Sequence, residues 1–143
     1  MIRGRFGDTS GAPYVEAHVS FPRLNVRGLV SFLVDTGADG TVFMPADSAK
    51  MGIDFASLTN RTISEGIGGE SEGFNERAVL TFSDKRFIYS YVLKVEISNP
   101  TRHNLRFPSL LGRDLLGRGR FVMDPIRDLV AFTPRNWDLR RKI

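Results

Sequence analysis

Cysteine is absent from the 143 residues. That absence removes a disulfide framework, a thiol nucleophile and thiolate metal sites together, and it suits a reducing compartment. Histidine occurs twice, as His18 and His103. His18 falls on the polar side of an alternating run and His103 in a polar loop, so neither has the setting of a serine-type triad, and two separated histidines make no zinc site. No metal or cofactor is expected. No stretch approaches the roughly 20 apolar residues that span a bilayer, and no apolar segment follows the basic residues of Met1-Ile2-Arg3-Gly4-Arg5-Phe6-Gly7 to suggest a secretion signal. A cytoplasmic protein without membrane contact is the expectation. Repeats at solenoid periods are also missing.

What is present suits one domain with a real core. Hydrophobic residues make up 41% of the chain, enough at this length without crosslinks. The net charge is +4 with a pI near 9.8, but the basic residues are scattered and cluster densely only at Arg140-Arg141-Lys142. With no nucleic-acid motif beside them, a nucleic-acid partner is not expected. The sequence divides into a flexible N-terminal segment at 1–12, holding the turn-like Asp8-Thr9-Ser10-Gly11, a domain at 13–135, and a basic C-terminal tail at 136–143.

Short β patterns dominate. Val15, Ala17, Val19 and Phe21 alternate with polar neighbours, the period of a half-buried strand, and Pro22 closes it. Residues 29–34 form the next strand, followed by the β-prone Thr41-Val42-Phe43. Pro45 opens a short helix through residue 50 that Gly52 ends. Further strands are read at 78–82 and 87–97, with a polar loop at 98–106. Residues 120–123 and 129–132 flank Asp124-Pro125-Ile126-Arg127-Asp128 as a closing hairpin. The fold class is mostly β, consistent with a small closed barrel with one or two short helices.

Within this frame one run stands out: Leu33-Val34-Asp35-Thr36-Gly37-Ala38-Asp39-Gly40. It delivers a carboxylate from an apolar strand into a glycine-bearing turn, where local hydrogen bonds can hold Asp35 and Gly37 admits a close backbone. An ordinary strand-ending turn uses the same residue types. A second segment, Leu110-Leu111-Gly112-Arg113 followed by Asp114-Leu115-Leu116, reads as a strand running past a glycine into a short helix. Gly66-Ile67-Gly68-Gly69 lies between them. In this order the three motifs resemble the retropepsin family, the dimeric aspartic proteases of retroviruses and their bacterial relatives.

The resemblance implies a retropepsin-like closed β-barrel, active as a two-fold homodimer on peptide or protein substrates. Asp35, Thr36 and Gly37 take the catalytic positions, with Thr36 interlocking the two catalytic loops. Ala38, Asp39, Gly66, Ile67, Gly68 and Leu110 take substrate-binding positions, Ile67 at the tip of a flap. Gly112 makes room under the turn, and Arg113 pairs with Asp39 to brace the dimer. One Asp-Thr-Gly per chain requires a second copy, because hydrolysis by aspartates uses two carboxylates around one water. The apolar Val34, Val42, Ile67 and Leu110 suggest hydrophobic substrate side chains, although Glu70, Ser71 and Glu72 make the flap acidic, unlike the viral pattern. Trp137 fits either an interface anchor or packing on its own domain. A retropepsin-like module that binds or dimerises without cutting remains the alternative.

Overall fold

The computed structural model describes residues 1–66 and 69–143. Along the chain these residues form strands β1 (Ile2–Arg3), β2 (Arg5–Phe6), β3 (Pro13–Phe21), β4 (Val26–Val34), β5 (Val42–Phe43), β6 (Arg61–Gly66), β7 (Gly69–Ser83), β8 (Phe87–Ser98), β9 (Leu110–Leu111), β10 (Gly119–Asp124), β11 (Leu129–Pro134) and β12 (Leu139–Lys142). Helix α1 (Pro45–Met51) follows β5, and α2 (Arg113–Leu116) follows β9. Six strands close a ring in the order β8, β5, β9, β4, β3 and β7, with β7 paired back to β8. The short β4–β9 and β5–β8 pairs are parallel and the other pairs in the ring antiparallel. None of the described helices is long and apolar enough to cross a membrane.

Alternation explains the barrel's interior. Val15, Ala17, Val19 and Phe21 are all buried while Glu16 and His18 face out, and Val30, Phe32 and Val34 do the same from β4. Tyr91, Val95 and Ile97 from β8 and Ala78, Leu80 and Phe82 from β7 complete the core. Phe21 meets Phe43 edge-on at 5.2 Å between ring centres, a geometry the ring quadrupoles favour. Each such side chain withdrawn from water contributes about 2–3 kcal/mol before conformational entropy is set against it. Helix α1 starts at Pro45 and stops at Gly52, whose φ of 75° is the left-handed cap that glycine adopts without strain.

β7 extends furthest beyond its sequence pattern, and β6 was not expected. β7 begins well before residue 78, because its polar first half is carried by pairing to β6 on one side and β8 on the other. β6 itself, rich in polar residues, has little local signal. Within β7 the buried Glu76 receives both Nε and Nη2 of Arg23, at 3.1 and 2.6 Å, so its charge is not left unpaired in the interior.

The chain ends are tied to the domain. Residues 1–12, expected as a flexible segment, carry β1 and β2, paired to β11 and β3. Ile2 supplies the reason, being 3% exposed in the core opposite Phe132. In the tail, β12 pairs with β8, and Trp137 packs on its own domain, 5.5 Å from the Tyr89 ring. Arg118 grips Asp138 through two hydrogen bonds of 3.1 and 3.0 Å, and the Val92 N–H donates to the same carboxylate at 2.7 Å.

These partners, Arg118 foremost, hold the Asp138 carboxyl below its ordinary value of 3.8. A carboxyl more acidic in the fold than in the unfolded chain stabilises fully above its unfolded pKa, and that contribution is lost as pH falls through the lowered value. Acidification below the ordinary value of 3.8 is therefore expected to weaken the hold on β12 progressively, in the direction that protonating Asp138 dictates. Trp137 fluorescence should report the release, and the acid-dependent component should vanish in Asp138→Asn.

Candidate active site

The site begins where β4 leaves the barrel. Since Val30, Phe32 and Val34 face the core, the pleat turns Leu33 and Asp35 to the other side. The backbone there is fixed by β9: the Leu33 N–H donates to the Ser109 carbonyl at 2.9 Å and the Asp35 N–H to the Leu111 carbonyl at 3.0 Å. A tight turn follows. The Gly37 N–H donates to Asp35 Oδ1 at 2.9 Å, and the Ala38 N–H to the Asp35 carbonyl at 3.2 Å. One carboxylate oxygen is thus anchored, while Oδ2 accepts no hydrogen bond among the described residues. Asp35 and Ala38 are half-buried; Thr36, Gly37 and Asp39 are exposed.

The segment after β9 locks this turn from below. Arg113 donates its backbone N–H to the Ala38 carbonyl at 2.9 Å and its Nη1 to the Thr36 carbonyl at 2.8 Å, and its Nη2 pairs with Asp39 within the same chain. Gly112 lies against Gly40 so closely that a Cβ on Gly112 would stand 2.4 Å from the Gly40 carbonyl carbon and oxygen. Only glycine fits there. A second lock escaped the sequence reading. Thr41, 1% exposed, donates its hydroxyl to Asp114 Oδ1 at 2.8 Å and its N–H to Asp114 Oδ2 at 3.0 Å, while the Gly112 N–H donates to the Thr41 hydroxyl at 3.2 Å. Its one local signal was an acidic residue in the first turn of α2, which helix ends commonly favour anyway.

Beside the turn, sheet register sets four residues in a row. Leu33 is opposite Leu110, Leu110 opposite Val42, and Val42 opposite Glu96. All four are half-exposed, whereas the next residue of each strand, Val34, Leu111, Phe43 and Ile97, is buried. Val34, expected among the apolar lining residues, is therefore a core residue and Leu33 holds the outer place; apolarity outweighed parity in that expectation. Gly66 ends β6 opposite Gly69, and no hydrogen bond among the described residues ties it to the Asp35 turn. Ile67 and Gly68 lie outside the described residues. Two surface concavities of about 480 and 470 Å³, one lined by Arg5, Tyr14 and Asp47 and the other by Arg23, Glu76 and Lys94, do not include Asp35.

Chemically, the turn presents a carboxylate held through one oxygen on an open surface, with backbone groups exposed on either side. That arrangement can accept a proton from a neighbouring water or hydroxyl, and it can pair with a second acid.

A family model described as aspartyl protease matches residues 23–115, which span both the Asp35 turn and the Gly112 segment. Among solved structures, a retropepsin-like aspartic protease from Rickettsia conorii superposes with a TM-score of 0.56 at 20% identity, covering 100% of this chain and 92% of that one. The EIAV protease complexed with the inhibitor HBY-793 superposes with a TM-score of 0.52, also at 20% identity, covering 82% of this chain and 98% of that one. At such identity these structures speak for the fold. No curated protein matches the chain.

Proposed function

The chain belongs to the aspartyl protease family, with a retropepsin-like fold, and from that premise we propose that it is an endopeptidase hydrolysing extended peptides between two Asp35 carboxylates, one from each copy of a two-fold homodimer. The observation that carries this reading is the Asp35 carboxylate itself, anchored at Oδ1 by the Gly37 N–H on an exposed turn whose other acid, Asp39, is paired with Arg113. Two such turns meeting on a symmetry axis would place the carboxylates together. Carboxylates that close cannot both ionise, so the pair shares one proton.

From that state the ionised carboxylate takes a proton from a water between the pair. The water oxygen bonds to the peptide carbonyl carbon while the protonated carboxyl passes its proton to the carbonyl oxygen. On collapse the C–N bond breaks, the amine nitrogen leaves with the proton taken from water, and a hydroxyl of the intermediate reprotonates the second carboxyl. Thr36 interlocks the two loops, and Gly37, Ala38 and Asp39 border the peptide. Arg113 and Gly112 hold the turn, and Leu110 contributes to the wall. Gly66, at the end of β6, takes a substrate-binding position at the β6–β7 connection.

Subunit mixing tests the shared centre. When wild-type chains exchange with a ninefold excess of Asp35→Asn chains, activity per wild-type chain should fall about tenfold, because most wild-type chains then have an inactive partner. Undiminished activity would place the whole catalytic apparatus in one chain. A preparation that binds peptides but cuts none would favour the silent module, for which the single Asp-Thr-Gly turn per chain is the supporting observation.

A further inference from the structure

Glu96 stands at the far end of the row that starts beside Asp35. Its neighbours along β8, Val95 and Ile97, are 1% and 0% exposed, so the pleat presents Glu96 on the opposite, half-exposed face with Val42, Leu110 and Leu33. Three strand spacings, roughly 14 Å, separate Leu33 from Glu96 along the row. A strand beside the row reaches the same place: the Ser64 hydroxyl of β6 hydrogen-bonds Glu96 Oε1. The carboxylate thus lies where the β6–β7 hairpin meets the wall of the barrel.

Ser64 is a neutral partner. Among the described residues no lysine, arginine or histidine lies within ion-pair distance of Glu96. A half-buried carboxylate set between Val42 on one side and the neutral Asn75 on the other has lost part of its hydration without gaining a counter-charge. The hairpin adds charge of the same sign, since Glu65 and Glu70 face each other in register, a pairing that is itself unfavourable. A lysine or arginine side chain matches this surface in both its parts. Its aliphatic stem can cover Val42 and Leu110 while its head reaches the carboxylate.

Resting on the reading of Asp35 as the centre of a peptide-binding cleft, we infer that Glu96 is a specificity-determining residue that selects a basic side chain in the bound peptide. An extended peptide advances roughly 3.5 Å per residue, so the selected position lies within about two residues of the bond aligned with Asp35, a long side chain covering the remaining distance. The wall is therefore apolar near the carboxylate pair and acidic farther out. This adds a charged position beyond the hydrophobic side chains expected next to the scissile bond from Val34, Val42, Ile67 and Leu110.

The test uses the full chain and a degenerate peptide library, with cleavage sites mapped by mass spectrometry and peptides retained by the Asp35→Asn protein identified in parallel. Lysine or arginine should be enriched at one position close to the cut or along the retained peptides. In Glu96→Gln, which keeps the side-chain shape and the Ser64 hydrogen bond, the preference for the basic peptide over its glutamine counterpart should fall about tenfold. Glu96→Lys should turn the preference toward acidic side chains. Peptides bound but not cut, with a Glu96-dependent basic preference, would sustain the inference and sink the protease reading. Cleavage without basic enrichment, or with enrichment that survives Glu96→Gln, would overturn the inference and leave the protease reading intact. A library neither cut nor retained would overturn both.

Discussion

Asp35→Asn is expected to lower kcat by at least about a thousandfold, some 4 kcal/mol of lost transition-state stabilisation, with the fold and the proposed dimer preserved. The substitution exchanges one carboxylate oxygen for an amide nitrogen of nearly the same size. The amide oxygen can still accept the Gly37 N–H that now binds Asp35 Oδ1, so the turn keeps its geometry. What is lost is the capacity to take and return a proton. In a homodimer the change falls on both copies, leaving no carboxylate to activate water. Steady-state cleavage of a peptide from the library, beside thermal unfolding and sedimentation of the two proteins, separates the effects. A variant that cuts within tenfold of the parent would remove Asp35 from the chemistry altogether.

Gly112→Ala should disrupt the same centre by another route. The added methyl carbon would stand 2.4 Å from the Gly40 carbonyl carbon and oxygen and 3.0 Å from its Cα. These are backbone atoms, so no side-chain rotation relieves the contact; the two segments must part. Parting stretches the Gly112 N–H bond to Thr41 and threatens the Thr41–Asp114 pair behind it. Overpacking of this kind, coupled to buried hydrogen bonds, should cost about 3 kcal/mol or more. Urea unfolding measures that loss, and residual folded protein should show weakened peptide cleavage because the Asp35 turn has shifted. A stability within about 0.5 kcal/mol of the parent would mean that the contact yields without consequence.

Sequence patterns revealed the elements whose causes are local. The alternation at Val15, Ala17, Val19 and Phe21 marks a strand wherever it occurs, and Pro45 with Gly52 brackets a helix by backbone preference alone. The turn at Asp35 was legible for the same reason: the hydrogen bond that holds its carboxylate closes within three residues. Other parts depend on partners far along the chain. Thr41 and Asp114 are separated by 73 positions and each is unremarkable in its own context, so nothing nearby announces their bond. The first half of β7 is polar and becomes a strand through pairing to β6 up to Phe74 and to β8 from Gly73 onward. Ile2 looked like part of a loose end, and its burial comes from its place opposite Phe132. Glu96 reads as one charge in an alternating strand until the register sets it beside Val42.

The short parallel pair between β4 and β9 has a bearing on when the protein can act. During synthesis the Asp35 turn leaves the ribosome long before Leu111 and α2, the segments that accept its backbone hydrogen bond and seat Gly40. Contacts so distant in sequence form late and slowly, after many residues of intervening chain have found their places. A growing polypeptide therefore carries the acid but not the seat that aims it. The order in which the chain is made delays the seating of the Asp35 turn until the barrel is nearly complete.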